Sequence, residues 1–178
     1  MKKLALCASA CIAAAACSTY GDVPPPPPYP LPTSATADLR TAAGVSVGTA
    51  ALMQVGDGLR LTVQGMNLPS GAHGLHIHQT GICAPPDFAS AGAHWNPAGR
   101  AHGKDNPGGM HHGDLPNLLI GATGQGSMEY TIPSVPIAGP GGVLDADGAA
   151  LVIHAAADDY RTDPSGNSGA RIACGVFR

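Results

Sequence analysis

The stretch Gly56-Asp57-Gly58-Leu59-Arg60-Leu61-Thr62-Val63-Gln64 decides the fold. Leu59, Leu61 and Val63 alternate with Arg60, Thr62 and Gln64. Successive side chains of an extended backbone point to opposite faces, so this period of two predicts a half-buried strand. Gly56-Asp57-Gly58 is a turn signal, and Thr49–Val55 before it supplies the partner strand. Four more stretches carry strand patterns. Leu75 and Ile77 alternate with His76 and His78, and Met128, Tyr130 and Ile132 with Ser127, Glu129 and Thr131. Leu151 and Ile153 alternate with Val152 and His154, and Ile172, Cys174 and Val176 share one face of a last strand. Short strands separated by turn signals predict an all-β antiparallel sandwich or flattened barrel, beginning near residue 37. Stretches 79–114 and 155–169 lack periodicity and are rich in Gly, Pro and Asp, and loops of that length in a compact domain are usually functional.

The 178 residues suffice for one such domain. Aromatics make up 4 %, against 25 Gly and 17 Pro, a balance that favours strands and turns over long helices. The formal charge is −3, and a chain cut before Cys17 keeps seven Lys and Arg against twelve Asp and Glu. No basic stripe with interleaved aromatics is present, which argues against a nucleic-acid partner.

Met1-Lys2-Lys3 followed by the apolar run Leu4–Ala16 reads as a signal peptide over 1–16. The run is shorter than the roughly 20 residues that span a bilayer. Ala14-Ala15-Ala16-Cys17 resembles a bacterial lipoprotein cleavage box, with Ala14 where a Leu is usual. Cys17 is then the lipid-bearing first residue of an anchor in the cell envelope, and Ser18 after it favours the outer membrane over the inner. Cys11 after Ala8-Ser9-Ala10 is a rival site, and an ordinary cleaved signal is the plainer alternative. Residues 17–36, with Pro24–Pro28, Pro30 and Pro32, read as a semi-rigid polyproline tether to a domain over 37–178. Of five cysteines three lie within the first seventeen residues, leaving Cys83 and Cys174. An even pair in an exported domain predicts one disulfide.

The eight histidines all follow residue 72. His76 and His78, two apart on a strand, send both imidazoles to one face and can chelate one metal. His94, His102, His111, His112 and Asp114 crowd the first long loop, where imidazoles plus one carboxylate suit a tetrahedral zinc site. His154 ends the apolar run Leu151-Val152-Ile153, a place where a lone histidine is more often a hydrogen-bonded core residue.

Gly74-Leu75-His76-Ile77-His78, Gly92-Ala93-His94-Trp95-Asn96-Pro97, His111-His112-Gly113-Asp114-Leu115 and the run from Gly166 to Gly175 resemble, in order, the signatures of copper/zinc superoxide dismutases. The resemblance covers roughly 45–178 and implies a Greek-key β-sandwich with two long functional loops. It implies copper on His76, His78, His94 and His154, and zinc on His94, His102, His111 and Asp114. His94 is then the shared imidazolate. His73 matches a supporting histidine, Asp158 a carboxylate joining His76 to His102, and Arg171 the guanidinium that meets the anion. Asp159 is the rival for the bridging carboxylate. His112 occupies a position with no family role.

The implied activity is disproportionation of superoxide to dioxygen and hydrogen peroxide. Loop 155–169 matches the family's electrostatic loop but is short, with Pro164 and Ser165 where a lysine is common; Lys104 is the candidate replacement for its field. Two other readings stand beside this one. A non-enzymatic copper-handling protein on the same fold should lack a ligand or the arginine, and a zinc hydrolase needs an open position on zinc. Bacterial members pair through surfaces that no motif marks, so a homodimer is left open.

Overall fold

The computed structural model describes residues 31–178, so the signal segment, Cys17 and the tether up to residue 30 lie outside the described residues. The strands, in chain order, are β1 (Ser34–Arg40), β2 (Ser46–Val55), β3 (Gly58–Gly65), β4 (Gly71–His73), β5 (Leu75–His78), β6 (Leu118–Ile120), β7 (Gly126–Ile132), β8 (Ala150–His154) and β9 (Arg171–Val176). A 3-10 turn at Ala89–Ala91 is the only helical element among the described residues, and no helix there is long and apolar enough to cross a membrane.

The β2–β3 hairpin forms as the alternation requires. Val55 pairs with Gly58 across the two-residue turn, and Gly56 takes a left-handed φ of 61°, which glycine adopts without steric penalty. Leu52 stands opposite Leu61 and Ala50 opposite Val63 on the inner face. Leu39, Leu52, Leu59, Leu61 and Val63 are at most 1 % exposed, and burying each of the larger side chains contributes about 1.5–3 kcal/mol.

Seven strands form one antiparallel sheet in the order β5-β8-β9-β1-β2-β3-β7, with β4 and β6 paired separately. The chain crosses from β7 at one end to β8 near the other through residues 133–149, a Greek-key connection. Strands β9 and β1 join at Arg40 opposite Cys174, with reciprocal Thr36 and Arg178 bonds of 2.8 and 2.9 Å.

Two details differ from the sequence expectation. The folded unit begins before residue 37: β1 starts at Ser34, and Ala35 is already 3 % exposed. Alanine is so weakly apolar that the inward row Ala35, Ala37, Leu39 is hard to see as a pattern. In β9, Ile172 leaves the face of Cys174 and Val176. It packs against the main core, while Cys174 and Val176 pack with Phe88, Ala91, Ala150 and Val152 in a second cluster. A bulge causes the switch, since Ile153 pairs with Ala173 but His154 pairs with Arg171, leaving Ile172 as the extra residue.

The second cluster lies under the long loop between β5 and β6. That loop covers the free edge of β5, where Ile77 N–H donates to Gly113 O at 2.9 Å and Trp95 N–H to Ile77 O at 2.8 Å. A disulfide joins Cys83 of this loop to Cys174 of β9, across 91 residues of chain.

Candidate metal centre

On β5, Leu75 and Ile77 enter the core while His76 and His78 face the long loop. Val152 lies opposite His76 and Ala150 opposite His78, so His154, two residues beyond Val152, shares their face. All three imidazoles are at most 3 % exposed. Each has one nitrogen tied to an oxygen. His76 Nε2 donates to Asp158 Oδ2 at 2.7 Å, His78 Nδ1 to Gly92 O at 2.9 Å and His154 Nδ1 to Gly169 O at 3.1 Å. A carbonyl or carboxylate can only accept, so the neutral ring's single proton sits on the tied nitrogen. The other nitrogens, His76 Nδ1, His78 Nε2 and His154 Nε2, are buried lone pairs without a hydrogen-bond partner. With His94 these residues offer donor atoms within 4.8 Å of one another.

The second group is His94, His102, His111 and Asp114, also buried and within 4.8 Å. Asp114 Oδ1 lies 2.9, 3.0 and 3.1 Å from Nδ1 of His94, His102 and His111. Donors about 2.0 Å from a zinc ion stand about 3.3 Å apart along the edges of a tetrahedron. The Asp114 oxygen is therefore already close to that spacing from each of the three imidazole nitrogens. Asp114 Oδ2 is fixed by the backbone N–H groups of Gly103 and His111. His94 belongs to both groups, its ring centroid 4.0 Å from that of His76 and 5.5 Å from that of His111. Edge pairing explains this position: bridges along β5 set His94 opposite His78 and Asp114 opposite His76.

Asp158 spans the groups, with Oδ2 on His76 and Oδ1 accepting from His102 Nε2 at 3.0 Å. Asn117 clamps the Asp158 backbone, its Nδ2 donating to Asp158 O and its Oδ1 accepting from Asp158 N–H. Gly166 lies so close that a side-chain carbon there would overlap the Asp158 carboxylate and His102 Nε2. Asp159 is exposed and folds its own loop, accepting from Thr162 Oγ1 and Asn167 Nδ2 and from two backbone N–H groups. His73 stands apart from both groups between the carbonyls of His154 and Pro69.

The β9 bulge places Arg171. Without it Arg171 would share the core face of Ala173 and Phe177; with it Arg171 pairs with His154 and shares that residue's face. Its guanidinium donates to Phe88 O at 2.6 Å and to Gly92 O at 2.7 Å. Gly92 O therefore holds both Arg171 and His78.

Residues 46–177 match the sequence profile described as copper/zinc superoxide dismutase (SODC). A protein of Caulobacter vibrioides named superoxide dismutase [Cu-Zn] is 41 % identical over 149 residues, covering 82 % of this chain and 86 % of that one. The chain belongs to the copper/zinc superoxide dismutase family. The Bacillus subtilis superoxide dismutase-like protein YojM is 44 % identical over 75 % of this chain and 70 % of its own. The crystal structure of a SOD-like protein from Bacillus subtilis superposes with TM-score 0.75 at 42 % identity, over 79 % of this chain and 96 % of that one. The Cu/Zn superoxide dismutase from Brucella abortus gives TM-score 0.65 at 29 % identity, over 82 % and 99 %.

The dismutase family's metals, copper and zinc, fit what the residues offer. Three orphaned imidazole lone pairs meeting a fourth ring suit a copper that changes oxidation state, and three imidazoles with one carboxylate suit zinc. Protonation follows the same division. Burial pushes His76 down to about 3 and His154 down to about 4, so both stay neutral. Burial also lowers His102, but hydrogen bonds to the Asp114 and Asp158 carboxylates outweigh it and raise that ring to about 9. Asp114 and Asp158 are buried yet held well below the usual carboxylate range, because histidines donate to them. Lys104 Nζ lies 3.2 Å from Asp105 Oδ1 and 4.3 Å from the Tyr160 ring centre, so its charge is shared locally.

Asn117, the carbonyls of Gly92 and Gly169, and the close-packed Gly166 were not singled out individually by the sequence reading. A backbone carbonyl leaves no residue signature, and a lone Asn or Gly carries no pattern.

Proposed function

We propose that this protein disproportionates superoxide to dioxygen and hydrogen peroxide at a copper/zinc pair joined by His94. One observation carries the reading: three buried imidazole nitrogens without partners converge beside His94, whose Nδ1 belongs to the four-donor group next door. His76, His78, His94 and His154 would hold copper; His94, His102, His111 and Asp114 would hold zinc. Copper, when bound, supplies the one-electron redox change that links the two halves of the reaction. The chain does the rest. Gly92 and Gly169 fix the tautomers of His78 and His154, and Asp158 fixes that of His76. With Nδ1 committed on the Asp114 side, His94 has Nε2 left, the atom at which a proton can be held on the copper side. Arg171 presents a permanent positive charge, braced by two carbonyls, on the His154 face where a small anion arrives.

A copper-handling protein without activity should lack one of these groups, and all are in place. Four converging donors leave the zinc group closed, against a hydrolytic role. The deciding experiment combines metal analysis with a superoxide assay on the lipid-free domain. One copper and one zinc per chain are expected. Arg171→Glu should cut activity severely, and rising salt should slow the unaltered protein. Full dismutation in a metal-free or zinc-only preparation sinks the reading.

The cell-envelope location is a further part of the proposal. Lys2-Lys3, the apolar run to Ala16 and the Ala-Ala-Ala-Cys17 box support a lipid on Cys17, with the proline tether as spacer. Cys17→Ser should release the protein or block its maturation, and a mature N-terminus elsewhere without lipid would remove the anchor alone.

A further inference from the structure

His112 follows a zinc-group residue, His111, and takes part in neither metal group. Its Nδ1 is buried and has no hydrogen-bond partner. His112 lines a cavity of about 240 Å³ with Arg100, Met110, Tyr130, Ile132 and Pro133. Arg100 is tied only through its backbone, to Asn96, and its guanidinium has no ion-pair or hydrogen-bond partner among the described residues. The Tyr130 hydroxyl also lacks an internal partner, unlike that of Tyr160, which accepts from Asn117 N–H. Three polar groups from two parts of the chain, the exposed Arg100 and the half-buried His112 and Tyr130, thus line one cavity without a side-chain partner in the protein. Met110, Ile132 and Pro133 supply its apolar wall, and the zinc-group residue His111 also borders it.

A permanent guanidinium charge disfavours a metal cation. A planar fork of N–H donors matches a carboxylate, and a phenol O–H and an imidazole N–H can donate to the same oxygens. Met110, Ile132 and Pro133 offer contact to a compact hydrocarbon body. We propose that this cavity binds a small organic carboxylate, its anionic end on Arg100, Tyr130 and His112 and its apolar end on Met110, Ile132 and Pro133. The site is separate from the copper-side mouth, where Arg171 is committed to Phe88 O and Gly92 O.

The test titrates the metal-loaded chain with benzoate at constant ionic strength. The readout is the fluorescence of Trp95, the single tryptophan, whose ring centre lies 5.8 Å from that of His112. A saturable change in the millimolar range or tighter is expected, in keeping with what a ligand of roughly nine heavy atoms can supply. Benzamide, of the same shape but uncharged, should bind at least about tenfold more weakly, and Arg100→Ala should weaken benzoate by a similar factor. His112→Ala and Tyr130→Phe should each weaken it about three- to tenfold. Arg171→Ala should leave binding unchanged, and unaltered metal content in Arg100→Ala shows that the variant is folded. The proposal is overturned by no saturation below roughly 100 mM, by equal affinity for benzamide, or by binding that survives Arg100→Ala but is lost in Arg171→Ala. The readout does not depend on dismutase activity, so its failure leaves the proposed function untouched.

Discussion

The two halves of the metal centre are built from different material. His76, His78 and His154 stand on β5 and at the end of β8, with their neighbours Leu75, Ile77 and Ile153 sunk in the core. Sheet hydrogen bonds and close packing hold the backbone that carries these rings, and Asp158, Gly92 O and Gly169 O set their orientation. His102, His111 and Asp114 lie on a loop without regular structure, and their order comes from one another, from Gly103 N–H and from Asp158 across the boundary. The strand half is preorganised by the fold, whereas the loop half is tied by a few polar contacts and would be organised further by the ion it would hold. Metal binding and local folding should be coupled far more strongly in the second half.

The largest test of that contrast is the staple between them. Cys83–Cys174 ties the loop to β9 across 91 residues, and closing such a loop stabilises by about 4 to 5 kcal/mol on the chain-entropy account. Mutation of both cysteines to serine should lower the unfolding midpoint in denaturant by a corresponding amount. It should also loosen Phe88, whose carbonyl braces Arg171. An unchanged midpoint would show that the loop is held by other means.

His94→Ala removes the one ring common to both groups. Both metals should weaken, and activity should fall by more than about 100-fold, beyond the loss of a merely supporting partner. Copper retained at full affinity would mean that the strand half is complete without the loop.

Asp158→Asn puts an amide N–H against one of two imidazole N–H groups. Zinc affinity should fall about 10- to 100-fold, and copper less, because the strand histidines keep their places. Gly166→Ala should act in the same direction by pushing the Asp158 carboxylate aside. Asp159→Asn, on the exposed loop carboxylate, is the comparison. A chelator titration decides the matter, and earlier zinc loss from Asp159→Asn would move the bridge to the wrong neighbour.

The same division sets how much was legible in the sequence. Strands such as β3 and β7 could be read because each has one dry and one wet face, which shows as alternation. Strands β4 and β6 have three residues each, too few for a period to register. The bulge at Ile172 was hidden because apolar spacing runs through it unbroken, yet it decides where Arg171 points. The histidines and Asp114 could be named from motif order. The carbonyls of Gly92 and Gly169 that orient the rings depend on loop conformation, which no side-chain pattern encodes. The cavity of Arg100, Tyr130 and His112 joins the long loop to β7, a tertiary meeting that neither stretch announces.

The smallest effect is the pH dependence of the metal-free domain, where the two halves should act with opposite sign. An unfolded histidine titrates near 6.5. His76 and His154 are held down to about 3 and about 4 by burial, so below pH 6.5 the unfolded chain binds protons that the folded chain refuses. Stability from the strand half is therefore full above pH 6.5 and is lost as the pH falls towards 4 and then 3. Asp114 and Asp158, held low by their histidine donors, add to the loss only below the ordinary carboxylate range. His102 works the other way. Its folded value of about 9 lies above the unfolded one, so the folded chain keeps a proton that the unfolded chain releases. That contribution is fully present below pH 6.5 and disappears as the pH rises through 9. The metal-free domain should thus be most stable near pH 6.5, with its melting temperature falling on either side. Zinc displaces the His102 proton, so the loaded protein should lose the alkaline decline and keep the acid one. A metal-free melting profile that stays level or rises from pH 6.5 to 9 would show that the loop half is not held together by a shared proton, and the contrast between the halves would then rest on backbone order alone.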